Sequence, residues 1–271
     1  MLKIDLPGST NLFWVEDKTL LSPVENELSH AFYPYAKVEV NKAVALRDNN
    51  VFIRIDDLIR IETRNRLISR QYCDVFHAYK SVFSIVRENL QIQDDFAYLH
   101  GAALKIGQKT CLLLAETGTG KSTLGVYMDQ EVGCTCLTDD LVILQKGTRI
   151  ISPISKYARI RKESKALLKD VPLMNYNRVI ERYEYPLLEK RLEHIYRIDY
   201  IFVLHRDKDI HGIQPSSMPL TGILDNMFLP YQIKNNLNSA VEISGCIPTY
   251  DIFYQNLETA KNLIFAFNDR I

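Results

Sequence analysis

The chain lacks a net charge, a long apolar run and a cysteine framework, and each absence removes a class of function. Its 33 basic and 33 acidic residues cancel, so no electrostatic partner is implied. Nucleic acid as a substrate announces itself as a basic excess or patch, and the nearest approach, residues 156–169, is interrupted by Glu163; no nucleic-acid partner is expected. No segment approaches the ~18 apolar residues of a membrane span, and the N-terminal MLKIDLPGSTNLFW has an acid at position 5 and no apolar signal core. A cytoplasmic protein without a membrane partner is expected. Five cysteines, an odd number in 271 residues, do not form a disulfide framework and fit a reducing compartment. Cys134 and Cys136 stand at strand period, pointing to one face, and no CxxC pair completes a zinc site. They are expected to be buried strand thiols.

What remains is an ordinary globular composition, 46% apolar and 24% charged. The length allows one large domain or a small one followed by a larger one. Residues 1 to about 65 read as short strands and turns, with β-rich runs at Phe13–Val15, Tyr35–Val40, Val44–Arg47 and Val51–Ile55. From Leu67 to Leu90 apolar residues recur at three and four, which predicts one long amphipathic helix bridging to the rest. The expected division is therefore 1–92, a β-rich region plus helix, and 93–271, an α/β domain.

Six of the eleven glycines fall between Gly101 and Gly133, so special backbone geometry is concentrated there. Around them the pattern predicts a strand at Tyr98–Ile106, a turn, an apolar strand Cys111–Ala115, a loop and a helix from about Lys121 to Glu131. Strands near 136–138, 142–145 and 149–151 follow. Later elements are a polar segment at 156–169, an irregular stretch through 176–186, a strand at Tyr200–His205, a helix near Leu220–Phe228, and a closing strand and helix around Thr249–Ala266.

Ala115-Glu116-Thr117-Gly118-Thr119-Gly120-Lys121-Ser122-Thr123 matches the phosphate-loop pattern GxxxxGK[ST] at all but its first position, where alanine replaces glycine. An apolar strand precedes it and a helical pattern follows, the setting in which backbone N–H groups face an anion. Gly118 and Gly120 permit the backbone to wrap a triphosphate, and Thr117, Thr119 and Thr123 complete the cradle. Lys121 would reach the β and γ phosphates, and Ser122 would offer a hydroxyl to Mg²⁺. The expected ligands are ATP and Mg²⁺.

Leu137-Thr138-Asp139-Asp140-Leu141-Val142 begins sixteen residues after Lys121 and follows a predicted strand. Paired carboxylates there suit metal binding by one and proton acceptance from an attacking hydroxyl by the other. Close carboxylates repel, which raises the apparent pKa of the pair. Upstream, His100 in Tyr98-Leu99-His100-Gly101 lies on the strand expected beside the loop strand, within range of the phosphates or the Asp pair.

These pieces, HGAAL, AETGTGKST and LTDDLVIL, in this order and spacing, resemble the C-terminal catalytic domain of HPr kinase/phosphorylase and its relatives. The likeness is firm from Tyr98 to Gln145, and fainter at Arg159–Arg161, Tyr200–Arg206 and Ile247–Tyr250. It implies a P-loop kinase core similar to HPr kinase and phosphoenolpyruvate carboxykinase, acting on serine. In that scheme Asp139 accepts the seryl proton, Asp140 and Ser122 hold the metal, His100 stands beside Asp139, and Lys121 stabilises the transferred phosphoryl group. Arg161 and Arg206 are further candidates for phosphate contacts. The glycine-rich segment after the Asp pair of the bifunctional bacterial enzymes has no counterpart, so neither phosphorolysis nor HPr as substrate is implied. The N-terminal region resembles divergent relatives encoded with peptide-modifying pathways, which implies a peptide or protein serine as acceptor. A small-molecule alcohol or carboxylate metabolite, and a nucleotide sensor that does not transfer, are the other readings; a homo-oligomer is allowed.

Overall fold

The computed structural model describes residues 2–6, 9–15, 18–31, 33, 36–38, 50–55, 59–63, 66–70 and 77, and from 96 onward all but 173, 179, 188–194, 228–232 and 271. The chain divides into two compact units, 1–94 with 178–180, and 95–177 with 181–271.

The first unit is built on a six-stranded sheet. Its strands are β1 (Leu2–Leu6), β2 (Ser9–Val15), β3 (Ala36–Val38), β4 (Asn50–Ile55), β5 (Ile59–Thr63) and β6 (Arg66–Arg70), in the order β3-β1-β2-β4-β5-β6. The sheet is antiparallel except where β2 runs parallel with β4. The helix α1 (Lys18–Ala31) enters where only strands and turns were expected. Its signal is the spacing Leu21, Val24, Leu28, Ala31, with Leu28 and Ala31 buried; Pro23 obscures it, because proline removes a backbone donor. The bridging helix expected from Leu67 is corrected at its start, since Arg66–Arg70 is strand paired with β5. Of its remainder only residue 77 is described, and it is helical; the expected strand at 44–47 lies outside the described residues.

The second unit is organised by a mixed six-stranded sheet. It contains β8 (Gly101–Ile106), β9 (Lys109–Leu114), β10 (Cys134–Thr138), β17 (Tyr200–Arg206), β18 (Gly212–Pro215) and β19 (Thr249–Tyr254), ordered β10-β8-β9-β17-β19-β18. The strands β9, β17 and β19 are parallel; β10, β8 and β18 are antiparallel to their neighbours. The sheet is covered on both sides, which is why its central strands read as continuous apolar runs. Cys111 and Leu113 pack on one face with Cys134, Cys136, Tyr200, Phe202, Ile252 and Tyr254. Leu112 and Leu114 pack on the other with Ile201, Ile223, Ala240 and Ile243. The helices α2 (Lys121–Met128) and α5 (Leu257–Asn268) contribute to the first core, and α3 (Pro219–Leu224) and α4 (Ile233–Cys246) to the second.

A second sheet, β16-β12-β11-β7, joins β7 (Phe96–Leu99), β11 (Val142–Gln145), β12 (Ile150–Ser152) and β16 (Tyr196–Arg197). A third holds β13 (Tyr157–Ile160), β14 (Asn175–Asn177) and β15 (Arg182–Pro186). Three expectations are corrected here. The strand expected at 98–106 is two strands broken at His100, which belong to different sheets. The stretch read as irregular at 176–186 is largely β14 and β15, whose Tyr and Arg residues pair Tyr176 with Tyr183 and Asn177 with Arg182. The polar segment 156–169 is β13 followed by a 3₁₀ helix, Lys162–Leu168. Both α4 and β18 went unanticipated.

Candidate functional site

The site forms where the chain changes sheets twice at the same place. It leaves β7 and enters β8 through His100, and it leaves β10 and enters β11 through Asp139–Leu141. Because β7 pairs with β11 (Leu99 opposite Val142) and β8 with β10 (Ala103 opposite Thr138), the two crossings face each other. A register slip between Cys136 and Thr138 precedes the second crossing, the kind of bulge that re-aims a strand end.

At the first crossing Gly101 is compulsory on packing grounds. A Cβ there would lie 2.9 Å from the Leu113 carbonyl oxygen and 3.0 Å from a Leu114 methyl. At the second, Asp140 has φ 70° and the Leu141 N–H donates to the Asp139 carbonyl at 2.9 Å, the hydrogen bond of a γ-turn centred on a non-glycine residue. That conformation is strained and persists only where surroundings impose it. The imposing contacts are visible. Thr138, fully buried, places its Oγ1 2.7 Å from the Ile154 carbonyl and accepts the Ile154 N–H at 3.2 Å. His100 Nδ1 lies 3.0 Å from both Asp140 Oδ1 and the Asp140 carbonyl oxygen.

Asp139 is 2% exposed. Its Oδ2 accepts the Arg159 N–H at 3.1 Å, and the Ser122 hydroxyl lies near enough to favour the charged carboxylate. Oδ1 is buried and has no partner among the described residues. Burial pushes the Asp139 carboxyl up to about 6; the Asp140 charge pushes the same way, while Ser122, the Arg159 N–H and His100 oppose it.

The loop between β9 and α2 has the backbone that its glycines predict, with φ 98° at Gly118 and 112° at Gly120, left-handed values that side chains other than glycine rarely adopt. Gly120 caps α2 with no side chain in the way. Lys121 is buried and its Nζ donates to the Ala115 carbonyl at 2.5 Å, so the amine lies folded across the loop mouth. Burial lowers its pKa; Asp139 and Asp140 pull it back up and Arg161 lowers it further. Arg161 therefore lies close enough to act on Lys121, and its Nη1 would be 3.5 Å from a Cβ at Gly118. Arg206 is exposed and its charge acts on Tyr254, whose hydroxyl donates to the Thr119 carbonyl at 3.1 Å. Both arginines thus stand around the loop.

Asn226, at the end of α3, ties the parts together and was not foreseen. It is 5% exposed; its carbonyl accepts the His100 N–H at 2.7 Å, its Oδ1 accepts the Ala115 N–H at 3.1 Å, and its Nδ2 donates to the Gly222 carbonyl at 2.9 Å. Nothing in the sequence marks it, since it lies over a hundred residues from both His100 and Ala115.

Chemically, the arrangement offers a left-handed glycine loop at a helix N-terminus, a buried ammonium, a hydroxyl beside a carboxylate, and a buried carboxylate oxygen awaiting a partner. Hard oxygen donors of this kind suit Mg²⁺ rather than a soft metal. Among the described residues no group of three or more His, Cys, Asp or Glu forms a metal cluster, so an ion here would take Ser122, the acid pair, water and phosphate oxygens. Cys134 and Cys136 are buried, as expected for strand thiols. No helix among the described residues is long and apolar enough to cross a membrane.

No family model matches the chain, and no curated protein matches it. Among solved structures it is similar to the Hpr(Ser) kinase/phosphatase from Coxiella burnetii, with 13% identity and a TM-score of 0.36, over 64% of this chain and 91% of that one.

Proposed function

We propose that this protein is an ATP-dependent kinase that transfers the γ-phosphoryl group to a serine hydroxyl of a peptide or protein. The observation that carries the reading is Asp139 Oδ1, buried without a partner among the described residues on a carboxyl whose charge is influenced by the neighbouring Ser122 hydroxyl and which in turn acts on Lys121. A buried, unpaired carboxylate oxygen costs several kcal/mol unless a ligand completes it, and an acceptor hydroxyl or a metal ion does so.

In this reading Thr117, Gly118, Thr119, Gly120, Lys121, Ser122 and Thr123 hold the phosphates of ATP, with the helix N-terminus adding its partial positive charge. Lys121 leaves the Ala115 carbonyl and stabilises charge on the transferred group, and Arg161 and Arg206 reach phosphate from the rim. Asp139 takes the acceptor proton on Oδ1, and its raised pKa makes it a stronger base than an ordinary carboxylate. Asp140 and Ser122 would hold Mg²⁺, which neutralises phosphate charge when bound. His100 fixes the Asp140 carboxylate.

The test is mass spectrometry of candidate serine peptides after incubation with the protein, Mg²⁺ and ATP, with Asp139→Asn as control. A gain of one phosphate on a serine, absent in the control, supports the reading. ADP formation stimulated only by metabolites would replace the peptide acceptor with a small molecule, and nucleotide binding without any turnover would make the protein a sensor.

A further inference from the structure

Two side chains from far along the chain hold the phosphate loop, and one of them has no part in the chemistry proposed above. Near the start of the loop, Asn226 accepts the Ala115 N–H. Near its end, the Tyr254 hydroxyl donates to the Thr119 carbonyl at 3.1 Å. Tyr254 closes β19, and it is fully enclosed in the core that contains Leu113, Phe202 and Ile252. Its main chain is fixed as well: its carbonyl accepts the Asp207 N–H at 3.0 Å, and it stands opposite Arg206 in the parallel pairing of β17 with β19. Thr119 also lines an open cleft of about 630 Å³, together with Glu116, Asp225 and Asp251. Packing does not support the loop on that side, so the buried hydroxyl is its fixed contact.

The contact sets a direction. A trans peptide unit points its C=O and its N–H to opposite sides, so a Thr119 carbonyl turned onto Tyr254 aims the Gly120 N–H away from the core. Among the described residues neither that N–H nor the Gly118 N–H has a hydrogen-bond partner. Gly118 and Gly120 have φ 98° and 112°, and N–H groups gathered on such a backbone form a concavity that takes an anion. A Cβ at Gly120 would lie 3.9 Å from the Tyr254 hydroxyl oxygen, which places the hydroxyl against the residue that caps α2.

We propose that Tyr254 is a positioning residue for the phosphate loop: its hydroxyl holds the Thr119–Gly120 peptide in the anion-binding orientation before the ligand arrives. This rests on the phosphoryl-transfer reading for the identity of the anion, a nucleoside triphosphate. Without the hydroxyl the peptide is free to turn its carbonyl toward the phosphates, which it repels, and binding must then select the competent orientation from a mixture. The aromatic ring has a separate role, because phenylalanine would fill the same space in the core. Positioning and packing are therefore separable at this one residue.

The test compares Tyr254→Phe with the wild-type full chain by calorimetric titration of Mg-ATP and of Mg-tripolyphosphate, and by steady-state ADP release. Loss of the hydroxyl is expected to weaken both ligands about five- to ten-fold, the effect of one neutral hydrogen bond. The KM for ATP should rise to match while kcat stays within about two-fold, the pattern of a lost interaction common to ground and transition states. Phe202→Leu trims the same core without touching the loop; it should lower the urea midpoint and leave both affinities unchanged. Equal affinities in the wild type and Tyr254→Phe would overturn the inference and leave the phosphate cradle standing, as would a matching loss of affinity in Phe202→Leu, which would trace the effect to stability alone. A loss confined to kcat, or to ATP and not tripolyphosphate, would also overturn it, the latter by assigning the hydroxyl to the nucleoside. Wild-type protein that binds neither ligand would overturn the phosphate-loop reading and this inference with it.

Discussion

His100 and Asp140 are joined twice, the Nδ1 of the histidine lying 3.0 Å from both the side-chain oxygen and the main-chain carbonyl oxygen of the aspartate. The double contact explains why Asp140 can hold φ 70°: the positive φ turns its carbonyl toward the imidazole, which repays part of the strain. A residue at one sheet crossing thereby fixes the geometry of the other.

Removing the imidazole should therefore loosen the acid turn without touching the phosphate cradle. His100→Ala is expected to cut turnover by about 10- to 100-fold, with nucleotide affinity changed only a few fold, since a hydrogen bond to a charged group contributes about 1.5–3 kcal/mol. Steady-state ADP release and titration with a fluorescent nucleotide read the two effects separately. An equal loss in both would mean that the whole site had collapsed.

Asp139→Asn should leave nucleotide affinity within a few fold and lower turnover by roughly 10²–10⁴, the usual value of a positioned general base. Lys121→Ala should weaken both. Full activity in Asp139→Asn would transfer the proton-acceptor role to another group.

The pH dependence follows from burial. With the Asp139 carboxyl raised from 3.8 to about 6, the folded protein holds a proton that the unfolded chain has already released between those values. The stability this confers is complete below about pH 4 and is lost as pH rises through about 6, a loss of up to about 3 kcal/mol. In the absence of Mg²⁺ and nucleotide, Asp139→Asn should be more thermostable than the wild type at pH 8 and equal to it at pH 4, by calorimetry. Turnover should fall as pH drops below about 6, as the base becomes protonated.

Gly101→Ala places a methyl 2.9 Å from a carbonyl oxygen, and overpacking of this kind costs about 1–3 kcal/mol. A drop in denaturant midpoint together with reduced turnover is expected, because the backbone that shifts is the one bearing His100.

Asn226→Ala leaves the Ala115 N–H without its acceptor. The buried donor should cost about 1–3 kcal/mol and weaken nucleotide binding, while Asn226→Asp, which keeps an acceptor oxygen, should recover much of the affinity. Urea melts and nucleotide titrations of both variants check this.

Much of the site was readable in the sequence because it is local. Nine consecutive residues carry the loop, and glycine at 118 and 120 announces the left-handed backbone found there. The adjacency of Asp139 and Asp140 is likewise written in the chain, as is His100 next to a glycine. The break at His100 was not readable, because Phe96–Leu99 and Gly101–Ile106 are both good strand sequences and only their partners assign them to different sheets. The helix α1 was hidden by Pro23, and β14 and β15 by a run of tyrosines, arginines and asparagines without apolar alternation.

By itself the sequence determined the left-handed glycine loop, the adjacency of the two aspartates and the apolar strands that flank them, since these depend on residue type and on spacing within one element. The tertiary structure alone decided how the two aspartates differ. Asp139 is enclosed, bonded by the Arg159 N–H and left with one oxygen that has no partner among the described residues, whereas Asp140 is turned out to His100. It also decided that Asn226 holds the loop and that Glu116, Asp225 and Asp251 share one cleft. Relations of this kind join residues far apart in the chain: Asn226 and Ala115 are 111 residues apart, and Tyr254 and Thr119 are 135 apart. Burial and partner identity at such separations come from sheet order, which no local pattern encodes.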